Sequence, residues 1–79
     1  MEIIKISSLG CPSCIIMNGI LDEIEDIKIT NLDYDFDSEE VSKWNAGKVL
    51  PVLIFIDNGK EVKRLVGEHS KEEILEIVR

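Results

Sequence analysis

The chain has 79 residues, with 16 acidic against 9 basic side chains and a formal net charge of −7 at neutral pH. That length supports one small core, so a single domain over residues 1–79 is expected. The charge argues against nucleic acid and anionic membrane surfaces as partners, since both reward clustered Lys and Arg, and no apolar run approaches the roughly 20 residues needed to span a bilayer.

In chain order, Met1–Lys5 lacks a basic n-region, a long apolar stretch and a small-residue cleavage site, which leaves the cytoplasm as the expected compartment. Glu2 to Ser7 alternates and is rich in Ile, and reads as a strand. After Gly10-Cys11-Pro12-Ser13 the spacing predicts a helix over roughly Cys14–Glu25, with Ile16, Ile20 and Ile24 on one face and Met17 and Leu21 beside them. Pro12 suits a first helical turn, where its missing N–H is not required. Gly19 costs about 1 kcal/mol relative to Ala inside a helix, a cost that close packing would explain.

Ile27 to Asp33 is a second expected strand, and the spacing from Asp37 to Glu40 predicts a capping box opening a helix that runs to about Ala46. Val52 to Asp57 is a third strand, Asn58-Gly59 a hairpin turn, and Lys60 to Val66 the returning strand. Ser70 with Glu73 three residues on predicts the cap of a last helix, whose apolar stripe is Ile74, Leu75 and Val78. The order β-α-β-α-β-β-α implies an α/β fold: a four-stranded mixed sheet flanked by three helices. Its first two strands should be parallel by a right-handed crossover, and its hairpin antiparallel.

The chemistry of the sequence lies in its two cysteines, Cys11 and Cys14, in one Cys-x-x-Cys. A bridge between them closes almost no loop, so a scaffolding role explains little. Cys11 lies just before the helix and Cys14 about one turn into it. The first sulfur is thereby set near unpaired N–H groups and the positive end of the helix dipole. Those groups favour a thiolate and lower its pKa from about 8.5, making Cys11 a nucleophile and leaving Cys14 to resolve a mixed disulfide.

With these residues in view, the chain resembles the thioredoxin family over nearly its whole length. The resemblance rests on the first strand, the Cys11-Pro12-Ser13-Cys14 loop and its helix, and on Trp44 followed by Val49-Leu50-Pro51-Val52. It extends to the hairpin Phe55-Ile56-Asp57-Asn58-Gly59-Lys60 and to Val66-Gly67 before the Ser70-capped helix. It implies a thiol–disulfide oxidoreductase without a bound cofactor, acting on disulfide-containing proteins. A thioredoxin-reductase-like enzyme or another dithiol protein would service it, and a monomer is the family expectation. It also implies a cis peptide at Pro51, opposite the dithiol, with the Leu50 backbone free to pair with an extended substrate. Gly67 would let substrate backbone approach, and Pro12 and Ser13 would complete the substrate contacts.

The sequence departs from the family at three places. The intervening dipeptide is Pro-Ser, closer to glutaredoxins than to the Gly-Pro of typical thioredoxins, and Gly10 stands where an aromatic residue is usual. Lys5 occupies the spacing of the family's buried acid, and a nearby ammonium lowers a thiol pKa where a carboxylate raises it. The stretch Val66-Gly67-Glu68-His69 lacks the paired glycines and acid with which glutaredoxins hold glutathione.

The alternatives are a glutaredoxin-like, glutathione-linked reductase, or a non-catalytic module holding a soft metal or a partner through the two thiols. Against a metal, the only other soft ligand is His69, and there is no second Cys-x-x-Cys. His69 itself reads as a solvated loop residue, Trp44 as helix packing, and Lys5 as a sheet-edge or snorkelling lysine. The run Asp33 to Glu40 lacks the glycine and terminal Glu of a calcium loop, and reads as a strand end and helix cap.

Overall fold

A computed structural model describes residues 1–78. The elements follow the expected order: β1 (Glu2–Ser7), α1 (Pro12–Asp22), β2 (Lys28–Asp33), α2 (Ser38–Lys43), β3 (Val52–Asp57), β4 (Lys60–Val66) and α3 (Lys71–Val78). The four strands form one mixed sheet in the order β2-β1-β3-β4. β1 and β2 are parallel with Ile3 opposite Ile29, β1 and β3 antiparallel with Ile3 opposite Phe55, and β3 and β4 antiparallel with Val52 opposite Val66.

The period of two in the strands splits the apolar residues between two cores. Ile3, Leu53 and Phe55 meet Met17 and Leu21 of α1, Leu65 of β4 and Ile74 of α3 on one face. Ile4, Ile6, Val52, Ile54 and Ile56 meet Val41 of α2 on the other, with Trp44 packed at the edge of this cluster. Both faces of β3 are therefore covered, which is why Val52–Ile56 is a continuous apolar run rather than an alternating one. At the hairpin, Asn58 and Gly59 both take positive φ, 52° and 78°, the backbone a type I′ turn requires.

The structure moves several expected boundaries. Helix α1 begins at Pro12 and ends at Asp22 rather than running from Cys14 to Glu25, because Cys11 is itself the N-cap and Pro12 opens the helix. Its buried residues are Cys14, Met17 and Leu21, whereas Ile16, expected on the core face, is half exposed and Ile20 and Ile24 only flank the core. Every turn of α1 offers Ile, Leu or Met, so its pattern does not single out one buried stripe; packing against Ile3, Leu53 and Phe55 of the sheet does. Gly19 has no neighbour within 4 Å of where a Cβ would sit, so close packing does not account for it.

β2 starts at Lys28, and α2 stops at Lys43 rather than Ala46. Asp37 makes no side-chain cap bond to α2, because its Oδ2 accepts the Asp33 N–H at 2.8 Å. The neighbouring Asp33 Oδ1 accepts from the N–H groups of Asp35 and Phe36 at 2.8 and 3.0 Å, which closes the turn between β2 and α2. At α3 the expected box forms: the Glu73 N–H donates to Ser70 Oγ at 3.2 Å and the Ser70 N–H to Glu73 Oε1 at 3.1 Å.

Candidate functional site: a dithiol where three loops meet

Cys11 and Cys14 sit where the loop after β1 turns into α1. Gly10 takes a φ of 76° there, and Cys11 is extended before helical geometry begins at Pro12. Extended backbone at an N-cap turns the side chain back over the first helical turn, and the Cys14 N–H donates to the Cys11 sulfur at 3.2 Å. The Cys11 carbonyl accepts from the N–H groups of Cys14 and Ile15 at 3.1 and 3.2 Å. Cys14 lies at the third helical position, with the two Cα atoms 5.2 Å apart and the sulfurs at disulfide distance. The pair is asymmetric. Cys14 is 2% exposed, against the core, while Cys11 is partly open to solvent.

Two further segments frame Cys11. The Leu50–Pro51 peptide is cis, and the Leu50 carbonyl oxygen lies 3.9 Å from the Cys11 sulfur. Behind it, the Gly67 N–H donates to the Pro51 carbonyl at 2.8 Å and so fastens the loop after β4 to the start of β3. Gly67 has a φ of 86° with open space at its Cβ position, so conformation and not crowding requires glycine there. Cys11, Cys14, Leu50, Pro51 and Gly67 are thus brought to one end of the sheet, with Pro12 and Ser13 on the intervening turn of α1. Leu9 and Val49, 80% and 60% exposed, are apolar side chains open to solvent on the segments that carry Cys11 and Leu50.

The loop from Gly67 to Ser70 is bound more tightly than the sequence suggests. Ser13 Oγ–H donates to Glu68 Oε2 at 2.9 Å, and the His69 N–H donates to Met17 Sδ at 3.5 Å. His69 is half-buried rather than freely solvated: Nδ1 faces Glu73 Oε2 at 2.9 Å and Nε2 the Val66 carbonyl at 3.0 Å. The bond to Glu73 and the contact with Val66 hold its pKa above the ordinary 6.5 against the opposing effect of burial, since only the imidazolium has an N–H for each acceptor. Neither the Glu68 nor the Met17 contact was anticipated. They join residues 55 and 52 positions apart, which no local pattern signals.

Lys5 is neither at a sheet edge nor exposed. It lies on β1, between β2 and β3, and is 7% exposed. Its amine donates to Asn18 Oδ1, on α1 one turn beyond Cys14. Burial lowers the Lys5 pKa, and the carboxylate of Asp22 works in the opposite direction. Among the described residues no group of three or more His, Cys, Asp or Glu is arranged to hold a metal ion. No helix among them is long and apolar enough to cross a membrane.

The family model described as thioredoxin matches residues 2–79. Among solved structures, the reduced form of desulfothioredoxin from Desulfovibrio vulgaris Hildenborough is similar with a TM-score of 0.81 and 25% identity, covering 98% of this chain and 77% of that one. A malarial protein (TM-score 0.86, 17% identity, 98% of this chain and 91% of that one) shares the fold. So does malaria-parasite thioredoxin-2, described as a component of the parasite's protein secretion machinery (TM-score 0.88, 17% identity, 98% and 79%). No curated protein matches the chain in sequence.

Proposed function

This chain belongs to the thioredoxin family, and from that premise we propose that it is a dithiol electron carrier that reduces disulfides through Cys11 and Cys14. The observation that carries the reading is the asymmetry of the pair. One sulfur is partly open and receives a helix N-terminal N–H at 3.2 Å, while the other is buried at disulfide distance behind it. An N–H aimed at a sulfur favours negative charge there, and the helix dipole adds to it.

In the reduced protein, the Cys11 thiolate attacks one sulfur of a substrate disulfide, forming a mixed disulfide and releasing the other sulfur as a thiolate. Cys14 gives up its thiol proton and attacks the Cys11 sulfur. The mixed disulfide breaks, the second substrate thiolate leaves, and the 11–14 bridge closes. Two electrons pass from the dithiol to the substrate, and the two thiolates take up protons. Leu50 and Pro51 align the substrate backbone beside Cys11, Gly67 leaves room for it, and Pro12 and Ser13 hold the turn that presents the sulfur. An external dithiol protein or reductase restores the dithiol, and cytoplasmic redox balance is the setting we assign to it.

The test is the reduction potential of the pair, measured by equilibrating the protein in graded dithiothreitol buffers, alkylating and counting free thiols by mass. A value near about −270 mV marks a thioredoxin-like reductant, and one near about −200 mV a more oxidising carrier. Cys14→Ser should accumulate the mixed disulfide and Cys11→Ser should abolish turnover. A pair that forms no internal disulfide at any poise refutes the proposal.

A further inference from the structure

The carboxylate of Glu68 is an unexpected feature of the dithiol's surroundings. It accepts the Ser13 hydroxyl at 2.9 Å, and Ser13 stands directly before Cys14 in the motif. The Gly67 N–H to Pro51 carbonyl bond keeps the same loop beside the segment that carries Leu50, whose carbonyl lies 3.9 Å from the Cys11 sulfur. On the same loop and the helix it opens, His69 pairs with Glu73 and Lys71 with Glu23, while Glu72 and Glu76 lie farther along, on α3 itself. Among the described residues no Lys, Arg or His pairs with Glu68, which is exposed. A substrate that presents its disulfide to Cys11 therefore meets, on the loop fastened to the Leu50–Pro51 segment, that carboxylate without an ion-pair partner, and exposed apolar side chains at Leu9 and Val49 on the flanking segments.

We propose that Glu68 is a specificity residue of this dithiol, favouring disulfides flanked by a cationic side chain and disfavouring anionic ones. The inference rests on the redox reading above and names its substrate class: apolar or basic peptide segments around the bridge. The chemical step and its electron balance are unchanged; the carboxylate acts on how substrate and transition state are held. For unit charges on the order of 7 Å apart in a water-like dielectric, the attraction or repulsion changes the rate about threefold per substrate charge. The preference for a cationic over an anionic disulfide thus changes about tenfold when the carboxylate is removed.

The experiment is a single-turnover assay. The fully reduced protein is mixed with excess cystamine (cationic), hydroxyethyl disulfide (neutral) or oxidised glutathione (anionic), quenched with acid, alkylated and counted by mass. Using the neutral disulfide as reference cancels any general effect of a variant on thiol reactivity. The expected result is a cystamine-to-glutathione rate ratio that falls about tenfold in Glu68→Gln, falls further in Glu68→Lys, and in the unaltered protein shrinks at about 0.5 M salt. A ratio that neither variant moves, with all three disulfides still reduced, overturns the role of Glu68. A chain that reduces none of the three overturns the redox reading, and this inference with it.

Discussion

Replacing Lys5 by Met should stabilise the protein, although it removes a hydrogen bond. Lys5 sits on the inner strand β1, in register with Asn31 of β2 and Leu53 of β3, and is 7% exposed. Folding takes its ammonium out of water, and the compensation is one amide oxygen of Asn18 together with the more remote Asp22. Met keeps the length and most of the volume of the stem, so the packing of the strand is retained. Asn18 is exposed, so its amide turns to water without penalty. Removing a poorly compensated buried charge is worth about 1–2 kcal/mol, or roughly 5–10 °C in Tm for a domain of this size. The pH dependence is a second check. Burial lowers the Lys5 pKa from its ordinary 10.5, with Asp22 opposing. Below the folded-state value both states carry the proton and folding bears the full desolvation penalty. Between that value and 10.5 the unfolded chain holds more protons, so the stability of the unaltered protein rises with pH. The advantage of Lys5→Met should therefore be largest at neutral pH and shrink as pH approaches 10.5. Urea denaturation at a series of pH values, with the 11–14 bridge kept oxidised, measures both effects. A Lys5→Met protein that is less stable at neutral pH, or whose difference does not change with pH, refutes this account of the buried lysine.

Three further outcomes follow from the loop after β4 and the helix it opens. Ser70→Ala deletes the oxygen that accepts the Glu73 N–H at 3.2 Å and should cost about 1 kcal/mol in urea denaturation. His69 has its pKa raised, first by Glu73, so its contribution to stability is present in full below 6.5 and is lost as pH rises through the folded-state value. The Tm difference between the unaltered protein and His69→Asn should accordingly be larger at about pH 5.5 than at about pH 8.5, and Glu73→Gln should flatten that dependence. Gly67→Ala places a side chain at a φ of 86° where there is open space, so the penalty is conformational, about 1 kcal/mol, and appears in thermal unfolding.

Much of this architecture is written locally. Asn58-Gly59 between two apolar runs specifies a hairpin because both residues accept positive φ, and β3 and β4 have the expected limits. Ser70 and Glu73 open α3 because a capping box needs only two side chains and the backbone between them. The position of Cys11 and Cys14 at a helix start is likewise local, and with it the N–H aimed at the Cys11 sulfur, whereas the burial of Cys14 comes with the stripe of α1 that the sheet covers. The same kind of spacing at Asp37 and Glu40 produced no box, since Asp33 offered its N–H to the same carboxylate from across the turn.

The amino-acid sequence by itself thus determined the element order, the hairpin, the last helix and the dithiol, each of them set by side chains within a few residues of one another. Only the tertiary structure decided which stripe of α1 is buried, because Ile16, Ile20 and Ile24 are as apolar as Met17 and Leu21 until a sheet is laid against one side. It also decided that Lys5 lies on an inner strand rather than at an edge, since strand order is a property of the whole sheet. The contacts of Glu68 with Ser13, of His69 with Met17 and of Gly67 with Pro51 belong to the same class. They join segments that meet only after β1, β3 and β4 have paired, and the energy that brings them together is the burial of Phe55, Ile3 and their neighbours rather than anything in the loops themselves.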